Sequence, residues 1–137
     1  MQPMPQNVQT AFDAFPPEVR HRLAEIRALI FGIAGEDPRI GTISETLKWG
    51  EPAYLTEATR SGSTIRLGWP RHSADHAAVY FICRTTLVDE FRERFRNDFQ
   101  FEGTRAVLLP INGGVDEAAL EFMLSMALTY RLRPRNG

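Results

Sequence analysis

Leu47-Lys48-Trp49-Gly50-Glu51-Pro52-Ala53-Tyr54 is the stretch whose reading decides the fold. The run from Ile43 to Trp49 mixes apolar and polar residues as a strand does, Gly50 and Pro52 interrupt it, and Ala53-Tyr54-Leu55 resumes the extended pattern. The expectation is a strand, a bend and a second strand.

Toward the N-terminus the period becomes helical. Pro16-Pro17-Glu18 opens a helix with proline at its first position. Val19, Leu23, Ile26, Ile30 and Ile33 follow at steps of four and three on one apolar face, while Glu18, Arg22, Glu25 and Arg27 fall largely elsewhere. Gly35 ends the helix and Asp37-Pro38 blocks its continuation. Residues 1–15, with Pro3 and Pro5 near the start, read as a mostly extended lead-in in which Phe12 and Phe15 anchor at most a short turn.

Toward the C-terminus, Ile40 to Cys83 reads as a meander of about four strands. In Thr64 to Trp69, Ile65 and Leu67 face the core and Arg66 the opposite side. Ala77 to Cys83 is the most apolar run and is predicted to be central and buried. Thr85-Thr86 caps a short helix carrying Leu87, Phe91 and Phe95, and Phe99-Gln100-Phe101 and Arg105 to Leu109 are strands around Glu102-Gly103-Thr104. The last helix runs from about Val115 to Leu132, with Asp116, Glu117 and Glu121 near its start and arginines near its end, as the helix dipole favours. It is apolar around most of its circumference, so it is either central to the domain or half of a homodimer contact. Strands come in consecutive runs, which predicts an α+β fold: a single two-layer domain over residues 16–133, a mainly antiparallel sheet of about five or six strands packed with three helices, and a tail at 134–137.

A chain of 137 residues with 43% hydrophobic and 24% charged content suits one globular domain. The net charge of −1, with both signs interleaved, lacks the positive field that nucleic-acid binding needs. The basic clusters Arg92, Arg94, Arg96 and Arg131, Arg133, Arg135 fall at expected helix ends, where they interact with the helix terminus. Nothing approaches the roughly 20 apolar residues of a membrane span, and the first residues are neither basic nor apolar enough for a targeting signal. Cys83 is the lone cysteine, which excludes an internal disulfide and fits a cytoplasmic location.

His72, Asp75, His76 and Cys83 are the residue types of a transition-metal site, but Pro70, Ser73 and Asp75 make this region a loop rather than a helix that would converge two imidazoles. Cys83 reads as an inert core thiol, and no serine motif, phosphate loop or paired general base is present. No catalytic residue, metal ligand or cofactor is assigned. The better polar cluster is Lys48, Trp49, Glu51, Tyr54 and Arg66: the bend would hold charges beside two aromatic rings and bind a small anionic or aromatic ligand. Lys48 is also the sole lysine among sixteen basic residues, a compact ammonium in an arginine-rich chain. The competing reading is a Lys48–Glu51 ion pair pinning a sheet edge while Trp49 packs into the core.

The helix after Pro16-Pro17, Leu47 to Tyr54, Ile65-Arg66-Leu67-Gly68, and Phe101-Glu102-Gly103-Thr104-Arg105-Ala106 ahead of a closing helix resemble the YdhG-like bacterial domains. The resemblance spans about Pro16 to Leu132, and Lys-Trp-Gly-Glu-Pro-Ala-Tyr is its most specific piece. It implies a small cytoplasmic α+β domain, with one branch described as frataxin-like intracellular iron chaperones. That role calls for an exposed acidic surface, whereas Glu18, Glu25 and Glu36-Asp37 are interspersed with Arg20, Arg22 and Arg27. The leading expectation is a non-catalytic module for a small molecule or protein partner; the alternatives are an iron-binding chaperone and a small enzyme with a pocket near Lys48 and Arg66.

Overall fold

A computed structural model describes residues 2–134; Arg135 and the rest of the tail beyond residue 134 lie outside the described residues. The elements in chain order are α1 (Gln6–Asp13), α2 (Pro17–Glu36), β1 (Ser44–Lys48), β2 (Glu51–Leu55), β3 (Ile65–Gly68), β4 (His76–Tyr80), α3 (Leu87–Phe95), β5 (Gln100–Glu102), β6 (Ala106–Pro110) and α4 (Glu117–Leu128), followed by a short 3₁₀ turn at Tyr130–Leu132. The strands form one six-stranded sheet in the order β1-β2-β3-β4-β6-β5, every pair antiparallel. The α+β class, the antiparallel sheet and the central place of β4 are as the sequence pattern implies.

Two expectations are corrected. The lead-in is not extended: residues 6–13 form α1, a fourth helix, whose Val8 and Phe12 are buried in the same core as α2 and the sheet. Two apolar residues one turn apart suffice to dock so short a helix, although propensity alone would not hold it. At the start of α3 Thr86 makes no side-chain capping bond and donates its hydroxyl to Glu90 at 2.6 Å, and it is Thr85 whose hydroxyl accepts from the Leu87 amide at 3.5 Å. Asp116, by contrast, caps α4 by accepting from the Ala119 amide at 3.0 Å.

All four helices cover one face of the sheet. Tyr54, Ile65, Leu67, Ala77, Val79, Val107 and Leu109 point into a core shared with Leu23, Ile26 and Ile30 of α2, Phe91 of α3, and Leu120, Met123 and Leu124 of α4. Alternate residues, including Ala53, Arg66, Gly68, Ala78, Tyr80, Ala106 and Leu108, take the opposite face. Among the described residues no helix covers that side.

The bend at Trp49-Gly50 is a two-residue hairpin turn. Lys48 pairs with Glu51, and Trp49 and Gly50 have φ of 57° and 77°, the double positive φ of a type I′ turn. Pro52 is tolerated because its nitrogen faces β3, where pairing stops at Ala53. Farther along, the β2–β3 loop docks on the end of α4. Ser63 donates its amide to Ala127 O at 2.8 Å, and Ser61 Oγ donates to Leu128 O at 2.9 Å, satisfying carbonyls left open by the last helical turn. Gly62 is needed between them, since a Cβ there would lie 2.5 Å from the Leu128 backbone.

On the helix side, β1 and β2 hold a buried ion pair to α2. Arg27, predicted to lie off the apolar stripe, is in fact buried; its side chain is 7% exposed and that of Glu45 5%. Arg27 Nε and Nη2 donate to Glu45 at 2.5 and 2.8 Å, and Tyr54 donates its hydroxyl to the same carboxylate at 2.8 Å. The Arg27 guanidinium also donates to the Gln2 and Pro3 carbonyls at 3.0 and 3.1 Å, fastening the N-terminal segment. Its bond to Glu45 raises the Arg27 pKa, and burial, aided by the Glu45 charge, pushes the Tyr54 phenol up as well. The stripe placed Arg27 wrongly because its partner lies eighteen residues away on another element.

Two stability measurements test this architecture. Glu45→Ala, which strands the buried guanidinium, is expected to lower the urea-unfolding free energy by about 3 kcal/mol, and pairing Glu45→Leu with Arg27→Met to recover much of the loss. Trp49→Asn, which suits the positive φ, is expected to raise stability by about 1 kcal/mol; a decrease would contradict the turn assignment.

Candidate functional site

The uncovered face of the sheet carries the candidate site. Small and long residues alternate on this face: Ala53 lies opposite Arg66, Gly68 opposite Ala78, and Ala106 opposite Tyr80. A Cβ on Gly68 would overlap Glu51 Oε2 and come within 2.8 Å of the Tyr80 ring, so glycine is what lets that carboxylate and ring lie flat there. Glu51 accepts a bond from Arg66 Nη1 at 2.5 Å. The Tyr80 ring lies under two guanidinium groups, those of Arg66 at 5.2 Å and Arg105 at 5.8 Å from its centroid.

Beside this lattice is a hollow of about 470 Å³, lined by Lys48, Trp49, Thr64, Arg66, residues 81–84 and Arg105. That size is within the range of small-molecule sites. Four cationic side chains, Lys48, Arg66, Arg84 and Arg105, line it, and the carboxylate of Glu51 lies beside it, bonded to Arg66. Among the described residues, Lys48, Arg84 and Arg105 form no ion pair. Burial raises the Glu51 pKa, opposed by the charges of Arg66 and Arg105. The Tyr80 phenol is raised too, by burial first and then by the Glu51 charge. The arrangement attracts anions and offers fork-shaped donors to a carboxylate or phosphate.

Four of the five candidate residues from the sequence belong to this neighbourhood. Lys48, Trp49 and Arg66 line the hollow, and Glu51 holds Arg66. Tyr54 does not join them: one residue beyond Ala53, it points to the helix side and bonds Glu45. The competing picture also fails in both parts. Glu51 bonds Arg66 and, among the described residues, forms no ion pair with Lys48, and Trp49 is 89% exposed instead of packed. Cys83 is likewise corrected, because β4 ends at Tyr80 and the thiol is exposed at the rim of the hollow.

Arg84 and Arg105 escaped the sequence reading. They flank a strand pairing, with Phe81 donating its amide to Arg105 O at 2.7 Å, and only that pairing brings residues so far apart in sequence to Arg66. Their local signal is slight: Arg105 immediately precedes β6, and Arg84 lies in the loop after β4.

The other candidate residues are placed elsewhere. His72 contacts Glu102 at 2.5 Å, and His76 Nδ1 is 2.7 Å from Ser73 Oγ. Among the described residues no group of three His, Cys, Asp or Glu side chains is close enough to hold a metal ion. Glu25, Asp37, Glu45, Glu51, Asp89 and Glu90 are each paired with an arginine, Glu90 taking both donors of Arg133 at 2.8 and 3.0 Å. Burial works to raise the Glu90 pKa, but its bonds from Arg133 and Thr86 outweigh that and hold it low. In α4, six buried residues from Ala119 to Leu128 pack into the core, leaving Phe122 exposed beneath the Arg94 guanidinium at 4.4 Å. Among the described residues no helix is long and apolar enough to cross a membrane.

No protein-family model matches the sequence, and no curated protein matches it. The structure is similar to the crystal structure of YdhG from Bacillus subtilis, a protein of the DUF1801 family. The TM-score is 0.65 at 18% sequence identity, and the match covers 93% of this chain and 94% of that one. The fold is therefore YdhG-like over nearly its whole length.

Proposed function

We propose that this YdhG-like domain is a bacterial, cytoplasmic member of that family and a non-catalytic binding module that takes a small anionic ligand on the uncovered face of its sheet. One observation carries the reading: four cationic side chains gather around a hollow of about 470 Å³ that no helix covers among the described residues. Three of those cations lack an ionic partner among the described residues, so a ligand anion would meet donors that are already unpaired.

Glu51 is the internal competitor. It faces Lys48 across the hairpin, Arg66 on β3, the Tyr80 ring on β4 and the charge of Arg105 before β6. While ionised it occupies Arg66 and offsets one positive charge. An anion therefore binds best when that carboxylate is neutral.

The imidazoles of His72 and His76 bond Glu102 and Ser73 rather than Cys83, which favours binding over turnover. The carboxylate pairing with arginines likewise favours an anion over iron as the ligand.

Sulfate titration by calorimetry or NMR tests the site. Arg84→Ala is expected to weaken binding about threefold, and Arg66→Ala about tenfold. Glu51→Gln is expected to strengthen it about threefold. Sulfate keeps its charge between about pH 5 and 8, whereas Glu51 has a raised pKa and takes up a proton as the pH falls. Affinity should accordingly rise on acidification, and the part of that rise due to Glu51 should vanish in Glu51→Gln. Sulfate affinity unchanged by Arg66→Ala and Arg84→Ala alike would place the anion elsewhere and end the proposal.

A further inference from the structure

Trp49 is the least economical residue in the fold. It occupies the first position of a type I′ turn, where asparagine, aspartate or glycine adopts the positive φ with least strain, and its φ is 57°. Its indole is 89% exposed, so packing does not repay that strain. The second tryptophan behaves differently: Trp69 is partly buried against the core and donates Nε1–H to Ala74 O at 3.1 Å. Strained backbone that presents a large apolar ring to solvent, at a place that lines a cavity, is the combination expected when the ring serves a ligand.

We infer that the ligand of this hollow is a small molecule carrying a planar ring as well as an anionic group, the ring stacking on the Trp49 indole while the anion is held by Arg66, Arg84 and Arg105. The inference rests on the anion-binding reading above and narrows it. The two ends of the hollow differ in chemistry. The hairpin tip supplies an aromatic face with the Lys48 ammonium beside it, and the opposite wall supplies guanidinium groups. Inorganic phosphate satisfies only the guanidinium end and leaves the indole in water. A ring bearing a phosphate or carboxylate satisfies both, and the stacking is tolerant of which ring it is. The volume of the hollow sets the size class: one ring system with its charged substituent is accommodated as a free small molecule.

The test uses three probes on the full chain: phenyl phosphate, inorganic phosphate and phenol. The readout is the pair of indole N–H signals that two tryptophans give in a ¹⁵N-correlated NMR spectrum, assigned with Trp49→Phe. Phenyl phosphate is expected to bind at least about tenfold more tightly than inorganic phosphate or phenol and to shift the Trp49 signal while leaving that of Trp69 in place. Trp49→Asn keeps the turn and should abolish the preference, whereas Trp49→Phe should retain most of it. Equal affinity for the two phosphates, or binding with an unmoved Trp49 signal, would overturn the role of the ring while leaving the anion site standing. Failure of both phosphates to bind the unaltered chain would remove the anion site and the ring inference together.

Discussion

A two-residue turn controls the chemistry of both faces of this sheet. Because Lys48 lies opposite Glu51, every later pair in the first hairpin is fixed, and residues of like parity share a side. Glu45 and Tyr54 therefore face the helices, where Arg27 meets them. Lys48, Glu51 and, through β3, Arg66 face away. A slip of one residue would exchange the two sets, burying the ammonium and exposing the phenol. The strained backbone at Trp49 is part of what prevents that slip, since the two-residue turns that match the strand twist require positive φ at this first position.

Arginine does two jobs in the molecule, and burial separates them. Arg27 is enclosed, turns the Nε–Nη2 edge of its guanidinium to one carboxylate and also donates from Nη2 to backbone carbonyls. It is a structural rivet. Arg66 is only partly covered, has one of its donors on Glu51 and stacks on Tyr80. Arg84 and Arg105 have no carboxylate at all among the described residues. A nearly neutral chain thus concentrates positive charge locally by satisfying its acidic residues elsewhere.

What could be read from the sequence follows the range of the interactions involved. Alternation is a local signal, so Ile65 and Leu67 inward with Arg66 outward was legible, as was the stripe of α2 from Val19 to Ile30. Helix α1 was not, because Val8 and Phe12 give a single helical step beside two prolines and its stability comes from the core it docks on. Tyr54 was grouped with Trp49 by proximity along the chain, when strand parity puts it on the other face. Arg84 and Arg105 belong to the site through the pairing of β4 with β6. That pairing spans a whole helix and leaves no periodic trace.

The docking of residues 61–63 on Ala127 and Leu128 has a consequence for how the chain comes off the ribosome. The acceptors that hold this loop lie on α4, which follows every strand of the sheet in chain order, so the first hairpin and its neighbour must wait, half-tethered, until that helix has emerged. Synthesis order and assembly order are therefore reversed at this one junction: a connection made early is completed by a helix made well after it.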